Sequence, residues 1–167
     1  MVLMLLLAFA NATPEVGTTD AGASVGTLLI NAPRSAVYAT LADVAHWPRV
    51  FSDIERVQRV DAEDGRQVFR VLSKKMGHFH AIQTGNEVDH LVHFHVLDAG
   101  PGGVLIVDFT LEAVDEHTTR VKESMEAVLP VPLGVLIPDA LERKVREESI
   151  ALYLADLAAA LQKSRRP

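Results

Sequence analysis

The sequence predicts an α+β fold in which about seven antiparallel strands form one sheet and a long helix ends the chain. Two patterns support this prediction. Between residues 54 and 129 apolar and polar side chains alternate with a period of two, and short turn-forming stretches interrupt the alternation. Between Pro138 and Lys163 the apolar residues recur at helical spacing instead. Consecutive strands with short turns pair antiparallel, and 167 residues suit a single domain.

Local signals place the individual elements. Residues 24–30 are predicted as the first strand, and Pro33 then suits the first turn of a helix. The pair Trp47-Pro48 interrupts this helical region, because proline disfavours helical geometry for the residue before it, so one or two short helices are expected. Six further strands are predicted at residues 54–61, 67–73, 78–83, 91–97, 104–114 and 119–129. The long helix carries two apolar stripes, one of Ile150, Leu154, Leu157 and Leu161 and a roughly opposite one of Leu141, Val145 and Leu152.

Composition excludes several classes of protein. Acidic residues outnumber basic residues by 22 to 16, and the formal net charge is −6. This balance argues against nucleic-acid binding, which needs an excess of Lys and Arg to neutralise phosphates. The chain has no cysteine, which rules out disulfides, cysteine-bound zinc, iron–sulfur clusters and thiol catalysis. Aromatic residues make up only 5% of the chain, so its 49% hydrophobic content is mainly aliphatic.

Residues 1–12 are predicted to be a secretory signal peptide. Residues 2–10 are apolar without a break, and Ala10 and Ala12 supply small side chains before a cleavage site at Thr13. No Lys or Arg precedes the apolar run, and the alternative is a buried N-terminal strand or helix. The signal-peptide interpretation predicts export to the periplasm and divides the remaining chain into a linker at 13–22, a folded domain at 23–163 and a basic tail at 164–167.

Three short motifs after the first strand carry a family resemblance: Asn31-Ala32-Pro33, Leu41-Ala42-Asp43 and Trp47-Pro48. Their order and spacing resemble the START-like, or Bet v 1-like (SRPBCC), superfamily, and within it the coenzyme Q-binding and polyketide cyclase branch. The resemblance covers residues 24–161. It implies a helix-grip fold, in which a curved antiparallel sheet wraps around the long C-terminal helix and leaves an elongated cavity between them.

The resemblance also implies a function. Its members generally bind a hydrophobic small molecule such as a lipid, a quinone or a polyketide, so we expect a non-catalytic carrier or sensor without a cofactor. The alternative is an enzyme of the polyketide cyclase or dehydratase type. A third possibility, an interaction module similar to ribosome-associated members, fits poorly with the acidic charge and the export signal. The superfamily has no universal catalytic residue, so none is carried over.

The ligand-binding interpretation depends on side chains that would face the cavity. The alternative is that all of them are ordinary, tightly packed core. Hydrophobic strand and helix residues that share inward faces are the candidates, together with two aromatic residues beside the short helices and one residue before the long helix. They are Trp47, Phe51, Phe69, Phe79, Phe94, Phe109, Met125, Leu136, Leu141, Val145 and Leu152.

The stretch from Leu129 to Pro138 is uncharged and contains three prolines and one glycine. Prolines at this density exclude a regular helix or a central strand. In a helix-grip fold this stretch would lie at the mouth of the cavity. It is interpreted either as a mobile gate that makes transient contact with a membrane or partner, or as a rigid loop over the core.

Four histidines occupy two neighbouring predicted strands, His78 and His80 on one and His93 and His95 on the other. A hairpin centred between residues 86 and 87 would set His78 opposite His95 and His80 opposite His93, which could hold zinc or copper. The alternative sends them to solvent, because Val92, Phe94 and Val96 make the better core face. We therefore expect no metal site.

Glu123 alternates in phase with Val121, Met125 and Ala127, all apolar. A carboxyl group that points inward among aliphatic side chains would have a raised pKa and could act as a general acid or base, with Arg70, Tyr153 or a histidine as a partner. The enzyme alternative depends on Glu123 together with Tyr153 or a histidine of the cavity. The other interpretation is that a twist or bulge turns Glu123 to water.

Overall fold

A computed structural model describes residues 13–60, 66–84, 90–99, 103–128 and 138–164. The predicted signal peptide at 1–12 lies outside the described residues. So do residues 129–137 of the predicted gate and residues 165–167 of the basic tail.

Eight strands and three α-helices make up the described chain, and a short 3₁₀ helix at Val44–His46 precedes the second α-helix. The helices are α1 (Arg34–Ala42), α2 (Trp47–Val50) and α3 (Asp139–Lys163). The strands are β1 (Glu15–Thr18), β2 (Ser24–Ile30), β3 (Ile54–Val60), β4 (Gln67–Ser73), β5 (Gly77–Gln83), β6 (Leu91–Ala99), β7 (Gly103–Ala113) and β8 (Thr119–Val128).

All eight strands belong to one open antiparallel sheet in the order β1-β2-β8-β7-β6-β5-β4-β3. Strands β3 to β8 form a meander, because each pairs with the next along the chain. The exception is the connection from β2 to β3, which crosses to the opposite edge of the sheet and carries α1 and α2. The long helix α3 then contacts β1, β2 and β8. This is the helix-grip arrangement that the sequence resemblance implies.

The predicted elements agree with the structure except at the N-terminal end. The first predicted strand, the short helices, the six-strand meander and the long helix are all confirmed, with bounds shifted by a few residues. Residues 13–22 differ from the predicted linker, because Glu15–Thr18 forms β1 and pairs with β2 from Glu15↔Thr27 to Thr18↔Ser24. The strand has only four residues and lies among turn formers, so its alternation of apolar and polar side chains is too short to predict an edge strand.

Only one of the two apolar stripes of α3 faces the sheet. Ile150, Leu154, Leu157 and Leu161 are buried. The prediction for the other stripe is wrong: Leu141 and Val145 are 54% and 53% exposed, and Leu152 is only partly buried. The helix covers a single face of the sheet, and no element of the described residues packs as a layer on the opposite side of α3. No helix within the described ranges is long and apolar enough to span a membrane.

The helix approaches the sheet most closely over Gly26 of β2. A Cβ atom at this position would lie 2.3 Å from Cγ2 of Ile150 and 3.0 Å from Cδ1 of Leu154. Both distances are shorter than ordinary contacts between carbon atoms, which lie near 3.5–4.0 Å. Glycine at residue 26 is therefore required by the position of α3.

We predict that Gly26→Ala destabilises the protein by about 1–3 kcal/mol, because the added methyl group overpacks the contact between helix and sheet. Gly17→Ala on β1 is the matched control, since a Cβ there meets nothing within 4 Å. The control should be neutral or stabilising by at most about 1 kcal/mol. Urea denaturation followed by Trp47 fluorescence measures both changes, and equal free energies of unfolding for the two variants would contradict the prediction.

Candidate functional site

A cavity lies between the concave face of the sheet, the N-terminal helices and α3. The space inside it amounts to about 50 Å³ for the centre of a water-sized sphere, while a single water requires about 10–15 Å³ on this measure. Eleven of its thirteen lining residues are hydrophobic, and the other two are an acid and a tyrosine. The lining residues are Trp47, Phe51, Ile54, Met76, Phe79, Phe94, Val96, Leu105, Val107, Phe109, Glu123, Met125 and Tyr153.

The structure brings together most of the predicted cavity residues on the sheet and the short helices. Those that line the cavity are Trp47, Phe51, Phe79, Phe94, Phe109 and Met125. Phe69 is buried in the core but does not reach the cavity. Leu141, Val145 and Leu152 of α3 do not line it either, because their stripe faces away from the sheet, and Tyr153 is the helix residue that does. Leu136 lies outside the described residues.

Aromatic rings are concentrated around one end of the cavity. The Trp47 ring meets Phe51 and Phe94 edge to face, with centroids 5.4 Å and 4.8 Å apart, and Phe51 meets Tyr153 at 5.3 Å. The indole N–H of Trp47 donates to the carbonyl oxygen of Leu41 at 3.1 Å. This bond ties the edge of the indole ring to α1 and holds the ring against the cavity.

Glu123 is the only carboxylic acid among the residues that line the cavity. Its side chain is fully buried, and neither carboxyl oxygen has a hydrogen-bond partner among the residues that the structure describes. Its neighbours across the sheet are Gly26 on β2 and Phe109 on β7, which offer no polar side-chain atom. Burial away from water therefore raises the pKa of Glu123 well above its ordinary value.

The second polar group of the cavity belongs to a buried network. The hydroxyl of Tyr153 donates to Oδ2 of Asp53 at 3.3 Å, and the hydroxyl of Ser73 donates to the same oxygen at 2.5 Å. The backbone N–H of Lys75 donates to Oδ1 of Asp53 at 3.2 Å. Burial raises the pKa of Tyr153, and the nearby carboxyls of Asp53 and Glu123 raise it further. Tyr153 therefore stays protonated, and its hydroxyl donates towards Asp53.

Sequence reasoning missed Asp53 and Ser73. Asp53 precedes β3 in a stretch with Ser52, where turn formers are expected, so its 4% exposure could not be foreseen. Its partners come from residues 20 and 100 positions further along the chain. The one usable sign was that Tyr153 interrupts an otherwise aliphatic stretch of helix, which marks a buried hydroxyl in need of an acceptor.

The histidines lie on the outer face of the sheet, and the predicted pairs do not form. The register of β5 and β6 sets His80 opposite Leu97 and His95 opposite Ile82, so each histidine pairs four residues away from its predicted partner. His93 contacts Asp108 on β7 instead, and Nδ1 of His80 lies 3.4 Å from Asp98. Val92, Phe94 and Val96 fill the inner face. Within the described ranges no three His, Asp or Glu side chains gather where a metal ion could be held.

Comparisons with known structures agree on the fold. The Zhui aromatase/cyclase from Streptomyces sp. R1128 is 18% identical, with a TM-score of 0.67 over 86% of this chain and 95% of that one. A START superfamily protein from Mycobacterium smegmatis is 12% identical, with a TM-score of 0.71 over 85% and 98%. The di-domain ARO/CYC BexL from the BE-7585A biosynthetic pathway is 22% identical, with a TM-score of 0.70 over 87% of this chain and 48% of that one.

No curated protein matches the sequence significantly. A family model does: it is described as polyketide cyclase/dehydrase and lipid transport, and it matches residues 24–162. The matched range begins with β2, ends within the last turn of α3 and includes every residue of the cavity wall. The chain therefore belongs to the polyketide cyclase/dehydrase and lipid transport family.

Proposed function

We propose that this protein binds a hydrophobic small molecule in the cavity between the sheet and α3. The observation that carries the proposal is the cavity wall, which is hydrophobic except for Glu123 and Tyr153. Small-molecule sites in proteins have this composition: an apolar lining supplies affinity and a few polar groups fix orientation. Each buried methylene group of a ligand contributes about 0.8 kcal/mol.

The cavity of the structure corresponds to a closed state in the proposed mechanism. A space of about 50 Å³ admits a few waters but not a lipid-sized molecule. Two methionines, Met76 and Met125, line the cavity. Unbranched thioether side chains change rotamer easily and fill irregular gaps. In the proposed mechanism these two side chains move aside as the ligand enters, and the aromatic rings then contact it.

A second candidate function is acid–base catalysis of the cyclase or dehydratase type. It is favoured by one observation: Glu123, with its raised pKa, and Tyr153, held by Asp53, are the two polar groups that face the same cavity. A neutral carboxyl can donate a proton to a substrate carbonyl and then accept one as a carboxylate. A turnover assay on a polyketide-like substrate tests this candidate, because Glu123→Gln should then abolish turnover while binding persists.

Two predictions about segments outside the described residues remain part of the proposal. They are export directed by residues 1–12 and transient membrane contact through residues 129–138. The uncharged, proline-rich composition of 129–138 supports the second of them. Loss of liposome binding in a Leu133→Asp, Leu136→Asp double variant would support membrane contact, and unchanged binding would contradict it.

We predict that the neutral probe n-octanol binds the protein and shifts the emission of Trp47, which is the only tryptophan and lines the cavity. Val107→Phe should weaken this binding by about tenfold or more, because the larger ring occupies the cavity, and urea denaturation checks that the variant remains folded. The matched control is Thr110→Phe on the same strand, where the residue is exposed. Equal octanol affinities for the two variants would show that the cavity is not the binding site.

We predict a pH-dependent stability that Glu123→Gln removes. Between the ordinary glutamate pKa and the raised folded pKa, the unfolded chain has lost the Glu123 proton and the folded protein keeps it. The free energy of unfolding therefore falls as pH rises through this window, by up to about 1.4 kcal/mol per pH unit. Below the unfolded pKa this loss is absent.

Urea denaturation from about pH 4 to about pH 8 measures the effect. The stability gain from Glu123→Gln over the wild type should grow with pH across this range. Glu126→Gln is the control, since Glu126 lies exposed on the same strand. If the free energy of unfolding varies with pH in the same way for all three proteins, the conclusion that Glu123 is buried as a neutral acid is contradicted.

A further inference from the structure

We infer that the ligand of the cavity is a lipophilic amine, whose ammonium group pairs with Glu123 while its apolar part occupies the space among the aromatic rings. This inference rests on the proposed function and names the chemical class of the ligand. Three observations support it, namely the unpaired carboxyl group, the lack of cationic residues in the cavity wall and the concentration of aromatic faces.

The first observation is that the carboxyl group of Glu123 lacks a hydrogen-bond donor. Glu123 is fully buried, and both of its oxygens lack partners among the described residues. An unpaired buried acid costs stability, whether it is kept as a neutral carboxyl or as a carboxylate. A ligand that brings donors to both oxygens removes this cost, and a protonated primary amine carries three donors.

The second observation concerns charge. The lining residues within the described chain include no Lys, Arg or His, so the wall offers Glu123 no counter-ion. The only other titratable group in the wall is Tyr153 of α3, and behind it lies Asp53, whose carboxyl accepts the Tyr153 hydroxyl. Strand neighbours Gly26 and Phe109 are uncharged. The groups around Glu123 therefore favour a cation over a neutral or anionic ligand.

The third observation concerns the aromatic residues. The chain has only nine Phe, Trp and Tyr residues, and six of them line this one cavity. The electron-rich faces of aromatic rings attract cations, and tryptophan does so most strongly. Aromatic walls around a single acid are therefore complementary to an ammonium group that carries an apolar chain. The six are Trp47, Phe51, Phe79, Phe94, Phe109 and Tyr153.

The binding step balances in protons. The free protein holds Glu123 as a neutral acid, and the amine in solution is an ammonium ion. Forming the ammonium–carboxylate pair requires that Glu123 lose its proton to the solvent. The O–H bond of Glu123 is the only covalent bond that breaks, and the buffer takes up the one proton released for each ligand bound. A neutral ligand such as an alcohol releases none.

The experiment compares n-octylamine with n-octanol, which have the same chain length and differ in the polar group. Trp47 emission reports both affinities at about pH 7, and calorimetry in two buffers of different ionisation enthalpy reports the proton release. We expect octylamine to bind about tenfold or more tightly than octanol, with release of about one proton. In Glu123→Gln the ratio of the two affinities should fall to about one, whereas Glu126→Gln should keep it.

The outcomes separate the inference from the proposed function. Equal affinities for the two probes, or an amine preference that Glu123→Gln leaves intact, would overturn the inference. If octanol then still binds in a manner sensitive to Val107→Phe, the proposed function stands without it. If neither probe binds, both fail. A preference for octylamine without proton release would mean that the ammonium group binds to the negatively charged protein surface and not to Glu123. This result would also overturn the inference.

Discussion

The contact between α3 and Gly26 sets the distance between the two layers of this protein. At residue 26 the backbone of β2 is bare, and Ile150 and Leu154 occupy the space where a side chain would stand. The rings of Trp47, Phe51 and Phe94 pack against one another in the wall of the cavity. The cavity is therefore the space that these rings and α3 leave between the two layers.

The same contact accounts for the isolation of Glu123. Glu123 is the direct strand partner of Gly26, so it lies beside the point where helix and sheet are closest. Phe109 closes its other side. The packing of α3 on the sheet therefore keeps water away from the carboxyl group of Glu123, whose side chain faces the cavity. An aliphatic residue at position 123 would make the protein more stable. An acid retained at such a position is expected where function, and not folding, determines the residue.

Much of the fold was predictable because its signals are local. The period-two alternation from β3 to β8 and the stripe of Ile150, Leu154 and Leu157 depend on neighbouring residues alone. The alternation left the direction of Glu123 open between the interior and water, and the structure buries it. The site was less predictable because its remaining features join distant segments. The choice between the two stripes of α3 depends on how the helix rolls on the sheet. The histidine register depends on the loop between β5 and β6, and the pairing of Asp53 with Tyr153 spans 100 residues.

The order in which the chain is made adds a consequence for folding. Strand β8 contains Glu123 and α3 follows it in the chain, so the acid is synthesised before the helix that packs beside it. Docking of α3 then removes water from a carboxyl group that has a lower pKa in the exposed state than in the buried one. At any pH between these two values the docking step takes up a proton. The equilibrium between the undocked and the docked helix is thereby coupled to proton concentration.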